Sequence, residues 1–135
     1  MSYDLKFFNS KNLDEYVYFL YCKNSDAKHI PFKPVLVQDR QPLQNKCHHN
    51  VSNYVEDHPT CKPLYGWLCI DEEDSDCIVF LSHSVVQNKS DIFDITPSNA
   101  LIPRPFIDSF LTDEVFITLV EDKGFTRLVY KKQKI

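Results

Sequence analysis

Three polar residues stand where thiol chemistry would need them. Cys47 opens the stretch KCHHNVSNYV, in which Cys47, Val51, Tyr54 and Val55 fall on one face of a helix. A helix N-terminus carries roughly half a positive charge and free N–H groups. Both favour a thiolate, and an adjacent imidazolium favours it further. The backbone N–H of Cys47 is then a candidate oxyanion donor. His83 lies in the largely apolar run DCIVFLSHSVV, and Asp94 lies in DIFDIT. If Asn88 and Lys89 form a two-residue turn, His83 faces Asp94 directly across a hairpin, with Cβ atoms about 4.5–5.5 Å apart. Thiolate nucleophile, imidazole acid–base and tautomer-fixing carboxylate would then be complete.

Each of these residues has a plainer reading. Cysteine behaves most often as a small buried apolar residue, which is the expectation for Cys22, Cys61, Cys69 and Cys77. His83 alone would be a histidine bonded within a sheet, and Asp94 a cap on the turn before Pro97, with Asp91 as an alternative carboxylate nearer the turn. His48 and His49 compete for the base role, but neighbours on a helix do not face each other. The expectation is therefore that His48 packs or bonds locally and His49 is solvated. Asn50 lies three residues after Cys47 and is a pocket candidate. A zinc reading would use Cys47, His48, His58 and Cys61, yet this is not a Cys-x-x-Cys or His-x-x-x-His pattern. No metal and no cofactor are expected. Trp67 could wall a substrate groove, although a large aromatic in a strand is usually core. The run DEEDSD has no calcium-loop spacing and reads as a solvated hairpin connection.

The elements that must position these groups follow from patterning. NLDEYVYFLYCK predicts a helix, with Asn12 as N-cap and Glu15 completing a capping box. KPVLVQD predicts a short strand or extended arm, and DRQPLQN a loop. His58-Pro59 ends the Cys47 helix. The pattern then changes to period two. LYGWLCID, DCIVFLSHSVV and DIFDIT predict three strands, and EVFITLV with FTRLVY a final hairpin around Asp122-Lys123-Gly124. PSNALIPRPFIDSF, with three prolines, predicts an irregular crossover with one helical turn near Phe106. The expected class is α+β: N-terminal helices packed on an antiparallel meander of about five strands.

Bulk properties narrow the function. The chain has 135 residues, 43% hydrophobic and 13% aromatic, which suits one domain with a filled core rather than disorder. A net charge of −4 with no basic stripe argues against nucleic-acid binding. No run approaches the ~20 apolar residues of a membrane span, and MSYDLKFFNS lacks a signal-peptide core. Five irregularly spaced cysteines fit reduced thiols and a cytoplasmic setting better than a disulfide framework. Only two glycines occur, which excludes a glycine-rich phosphate loop.

In the order Cys on a helix, His on a strand and Asp on the next strand, the chain resembles the papain-like cysteine hydrolase superfamily. It is most similar to the compact transglutaminase-like and NlpC/P60-like cores, as in small bacterial and phage proteins of this type. The matching stretches are NKCHHNVSNYV, YGWLCI, FLSHSVV and DIFDITP, over residues 45–97. The patterning predicts a single domain over 1–135, in which residues 1–44 supply a helix and extended arm, 45–97 the Cys-His-Asp core that carries the resemblance, and 98–135 a crossover and hairpin that match no motif of the family. The resemblance implies Cys47 as nucleophile, His83 as general base and acid, and Asp94 as orienting residue. Such enzymes often place a glutamine six residues before the cysteine. Gln41 has that spacing, and Gln44 is a nearer oxyanion candidate. The function implied is a cysteine-dependent hydrolase or acyltransferase (peptidase, deamidase or transamidase) on an amide or related acyl bond; the resemblance does not carry a substrate, and the expected one is a protein, peptide or small amide. The alternatives are an inactive binding or inhibitor protein on the same fold, and a small zinc module.

Overall fold

The computed structural model describes residues 2–5, 8–98 and 104–132. Helix α1 spans Ser10–Cys22 and α2 spans Cys47–Glu56. Strand β1 (Cys61–Asp71) turns through the acidic connection into β2 (Cys77–Asn88), and a short β3 (Asp91–Phe93) follows. Strand β4 (Phe106–Asp108), helix α3 (Asp113–Ile117) with a π turn over Thr118–Asp122, and β5 (Arg127–Lys131) complete the chain. The expected α+β class is what the chain adopts: helices packed on an antiparallel sheet of five strands.

β1 and β2 form the long central ladder, from Cys61↔Asn88 to Asp71↔Ile78. β4 pairs with the outer edge of β1. β3 and β5 share the outer edge of β2. β5 takes Cys77–Leu81 and β3 takes Val86–Asn88. His83, Ser84 and Val85 are thus left between two strand ends, at a gap in that edge.

Side chains alternate along β2. Ile78 and Phe80 join the main core with Tyr16 and Leu20 of α1, Trp67 of β1 and Phe116 of α3. Val86 joins a second cluster with Val51 and Tyr54 of α2, Phe93 and Ile95. Between them, on the same face, stand Ser82 and Ser84. The helix-facing side of β2 is therefore apolar, then polar, then apolar.

Several expectations need correction. α1 begins earlier than expected, capped by Asn9, whose side chain accepts from the Asn12 N–H at 2.9 Å. Of its two expected readings, KPVLVQD takes the extended arm. The arm continues back to Lys28 and makes single bridges, Lys28 with Phe106, Phe32 with Asp94 and Val37 with Arg40. Phe106 sits in a strand and not in a helical turn, while residues 99–103 of the expected crossover lie outside the described residues.

Among the described residues, EVFITLV and FTRLVY do not form the expected hairpin. EVFITLV is helical, because Thr112 caps Val115 and Asp113 and Glu114 occupy the first turn, where carboxylates are favoured. Its buried residues, Phe116, Leu119 and Val120, follow helical spacing. β5 pairs instead with β2.

The β2–β3 turn uses Lys89 and Ser90, with Lys89 at φ 59°, and pairs Asn88 with Asp91. This register sets Phe93 beside Val86 in the second core cluster. The register expected from an Asn88-Lys89 turn would have put Phe93 beside Ser84.

Among the described residues no helix is long and apolar enough to cross a membrane.

Candidate active site

The register correction keeps the predicted partnership. Continued past Phe93, the ladder would put Val85 opposite Asp94, two residues from the expected His83. Because the offset is two, His83 and Asp94 still share a face, and they meet diagonally. His83 Nε2 lies 2.7 Å from Asp94 Oδ2. The carboxylate is itself fixed. Its Oδ1 accepts from the Thr96 N–H at 3.0 Å, and its backbone is held on both sides by the arm, through Lys33 N–H to Asp94 O and Asp94 N–H to Pro31 O, each 2.8 Å. His83 is 7% exposed, and its ring stands edge-on to Phe106. With Nε2 engaged by Asp94, Nδ1 is the nitrogen left for the thiol.

Cys47 comes to this histidine from α2. Asn45, with φ 63°, turns the chain through a left-handed conformation that Asn tolerates. Lys46 then gives α2 an N-cap without a side-chain hydrogen bond. Among the described residues, the N-cap side chain thus leaves the first-turn N–H groups uncapped at the end that carries the thiol. Cys47 is half-buried, and its Sγ lies 4.0 Å from the Ser82 carbonyl oxygen, at the gap in the β2 edge. Burial raises the thiol pKa. Hydrogen bonds and positive charge from His48 and His83 outweigh it and bring the thiol down to about 6. Burial lowers the His83 pKa, but Asp94 and Cys47 outweigh that effect and raise it to about 9. Between those values the pair favours a thiolate beside an imidazolium. By contrast, burial pushes the Cys69 thiol up to about 12.

His48 packs, against Phe116 and Tyr65, but its hydrogen bonds are not local. Its Nδ1 meets Ser84 Oγ and its Nε2 lies 3.3 Å from Ser82 Oγ, both on β2. It also bears on Cys47, contrary to the argument from helix neighbours, because both reach the same stretch of β2. The signal that could have revealed this is Ser82-x-Ser84, which interrupts the apolar face of a long strand. His49 is exposed and bonds Asn53 on its own helix.

The remaining candidates lie elsewhere. Gln41 and Gln44 are exposed on the loop before α2. Trp67 is fully buried and donates from Nε1 to Tyr16 OH at 2.9 Å, so it is core and walls no surface groove. Asp91 is exposed at the turn. Among the described residues no three His, Cys, Asp or Glu side chains gather to hold a metal ion. His58, part of the zinc reading, stacks on Tyr54 and bonds the Tyr54 carbonyl instead.

Asn50 is buried and braces the site from behind. Its amide nitrogen donates to Leu43 O at 2.7 Å and to Thr96 Oγ1 at 3.2 Å, and its oxygen accepts from Leu43 N–H at 3.0 Å. It therefore ties α2 to both the preceding loop and the segment that fixes Asp94. Asn50→Ala leaves these partners unpaired and costs about 2–3 kcal/mol. Urea unfolding measures this, and a loss below about 0.5 kcal/mol would contradict the bracing role.

No protein-family model, curated protein or solved structure matches this chain.

Proposed function

We propose that the chain is a cysteine-dependent hydrolase or acyltransferase that acts on an amide or related acyl bond. Cys47 is the nucleophile, His83 the acid and base, and Asp94 the residue that orients His83. The observation that carries this reading is the His83–Asp94 bond of 2.7 Å behind a thiol whose pKa lies near 6. The same order of groups supports kinship with the papain-like superfamily as part of the proposal, with a protein, peptide or small amide as substrate. Five free cysteines fit a reducing, cytoplasmic setting.

The steps follow from the charges. The Cys47 thiolate attacks the carbonyl carbon and a C–S bond forms. The first-turn N–H groups of α2 receive the developing oxyanion. The oxyanion collapses, the C–N bond breaks, and the His83 imidazolium gives its proton to the departing amine. With the thiolate consumed, His83 loses the charge that raised its pKa. It can then take a proton from water, or from a second amine, as that group attacks the thioester. The C–S bond breaks and the thiolate–imidazolium pair returns.

Acyl transfer needs the thiolate and the imidazolium together. Its rate should therefore rise through pH ~6 and fall through pH ~9, giving a bell-shaped profile. The deciding experiment uses an electrophilic acyl probe, with the labelled residue mapped by mass spectrometry. Cys47 should carry the label, and Cys47→Ala should abolish labelling while the circular dichroism spectrum stays native. A label on Cys61 or Cys69 in place of Cys47 would overturn the assignment.

A further inference from the structure

Ser82 and Ser84 present their side chains on the helix-facing side of β2, and His83 on the other. Cys47 Sγ lies between, at the open edge, near the Ser82 carbonyl. His48, bonded to Ser82 and Ser84 on one face, and His83, on the other, both hydrogen-bond this thiol. Only His83 has a carboxylate partner. His48 has a hydroxyl at each ring nitrogen, Ser84 Oγ at Nδ1 and Ser82 Oγ at Nε2. A hydroxyl can donate or accept. Either hydroxyl can therefore take the role its ring nitrogen leaves open, and the clamp strands no partner. Its ring is also held edge-on to Phe116 of α3 and tilted against Tyr65 of β1. Such a ring is fixed in place, whereas a proton shuttle needs a nitrogen free to exchange with substrate.

We propose that His48 is a second positioning residue for the nucleophile: clamped by Ser82 and Ser84, it holds the Cys47 thiolate in place and leaves proton transfer to His83. This rests on the reading of Cys47 as a nucleophile and assigns a division of labour within that site. The titratable groups facing the thiol are His48 on its own helix and His83 on β2, with Asp94 behind His83. On the far side of His48, Asp113 and Glu121 act on Tyr65. Of the influences that lower the Cys47 pKa, the hydrogen bond from His48 is the largest.

The test is the rate of iodoacetamide alkylation of Cys47 against pH, followed by mass spectrometry so that other thiols do not interfere. Wild-type protein should show a midpoint near 6. His48→Gln keeps a hydrogen-bonding side chain but cannot carry charge, and should move the midpoint up by about one unit. Ser84→Ala removes one jaw of the clamp and should move it in the same direction by less. A low wild-type midpoint that both variants leave unchanged overturns the proposal. If His48→Gln fails to fold, an unchanged midpoint in Ser84→Ala overturns it alone. A wild-type midpoint in the ordinary thiol range would instead sink the nucleophile reading, so the two failures are distinguishable.

Discussion

Replacing His83 with alanine moves the midpoint of the Cys47 alkylation profile up from about 6, by about one to three units. Burial alone would hold this thiol above an ordinary cysteine, because a charged sulfur is disfavoured away from water. The low value exists only because two imidazoles oppose that penalty. Removing His83 deletes one hydrogen bond and one positive charge, and burial regains part of its influence. The direction is fixed by sign: loss of a cation beside an acid raises the pKa of the acid.

Asp94→Ala should act through the same chain with a smaller effect. Without the carboxylate the imidazolium is less favoured, His83 titrates lower, and the thiolate loses part of its counter-charge. Thr96 N–H also loses its acceptor. A His83→Ala profile that superimposes on wild type would show that the ring does not act on the sulfur. A fully retained acyl-transfer rate in that variant would remove it from the mechanism.

The parts of this site that were legible in the sequence are those set by short-range pattern. Cys47 at a helix start and His83 in a strand follow from periodicity, and the helix and both long strands lie close to their expected bounds. The His83–Asp94 contact was legible for an instructive reason. The turn lies one residue later than expected and the register changes by two, but an even change preserves the face, so the two side chains still meet.

What escaped depends on tertiary choice. EVFITLV has β-branched residues enough for a strand, yet the Thr112 cap and the burial of Phe116 and Leu119 make it a helix. Trp67, for which the core reading is the usual one, lies under both α1 and α3. The divergence of helix neighbours is a rule about one helix that takes no account of a strand packed against it, and His48 reaches Ser82 and Ser84 on β2.

Gly66→Ala should be among the most destabilising single substitutions in the chain. Gly66 faces His83 on one side and Asp108 on the other. A Cβ there would run into the Ile107 backbone carbonyl oxygen and would come within 2.6 Å of the Phe106 ring. The ring could turn, but the carbonyl belongs to β4, so the strand itself must move away. The cost should reach or exceed the upper end of the ~1–3 kcal/mol range for overpacked sites. Tm should fall by about 10 °C. The effect reaches the site as well. Phe106 stands edge-on to His83, and its backbone is held by Lys28 at the start of the arm that fixes Asp94. Displacing β4 therefore loosens both the imidazole and its carboxylate, and the Cys47 midpoint should rise in the fraction that remains folded. A Tm within about 1 °C of wild type would show that β4 does not close on Gly66. A large loss of Tm with an unshifted Cys47 midpoint would separate the stability of the sheet from the geometry of the thiol.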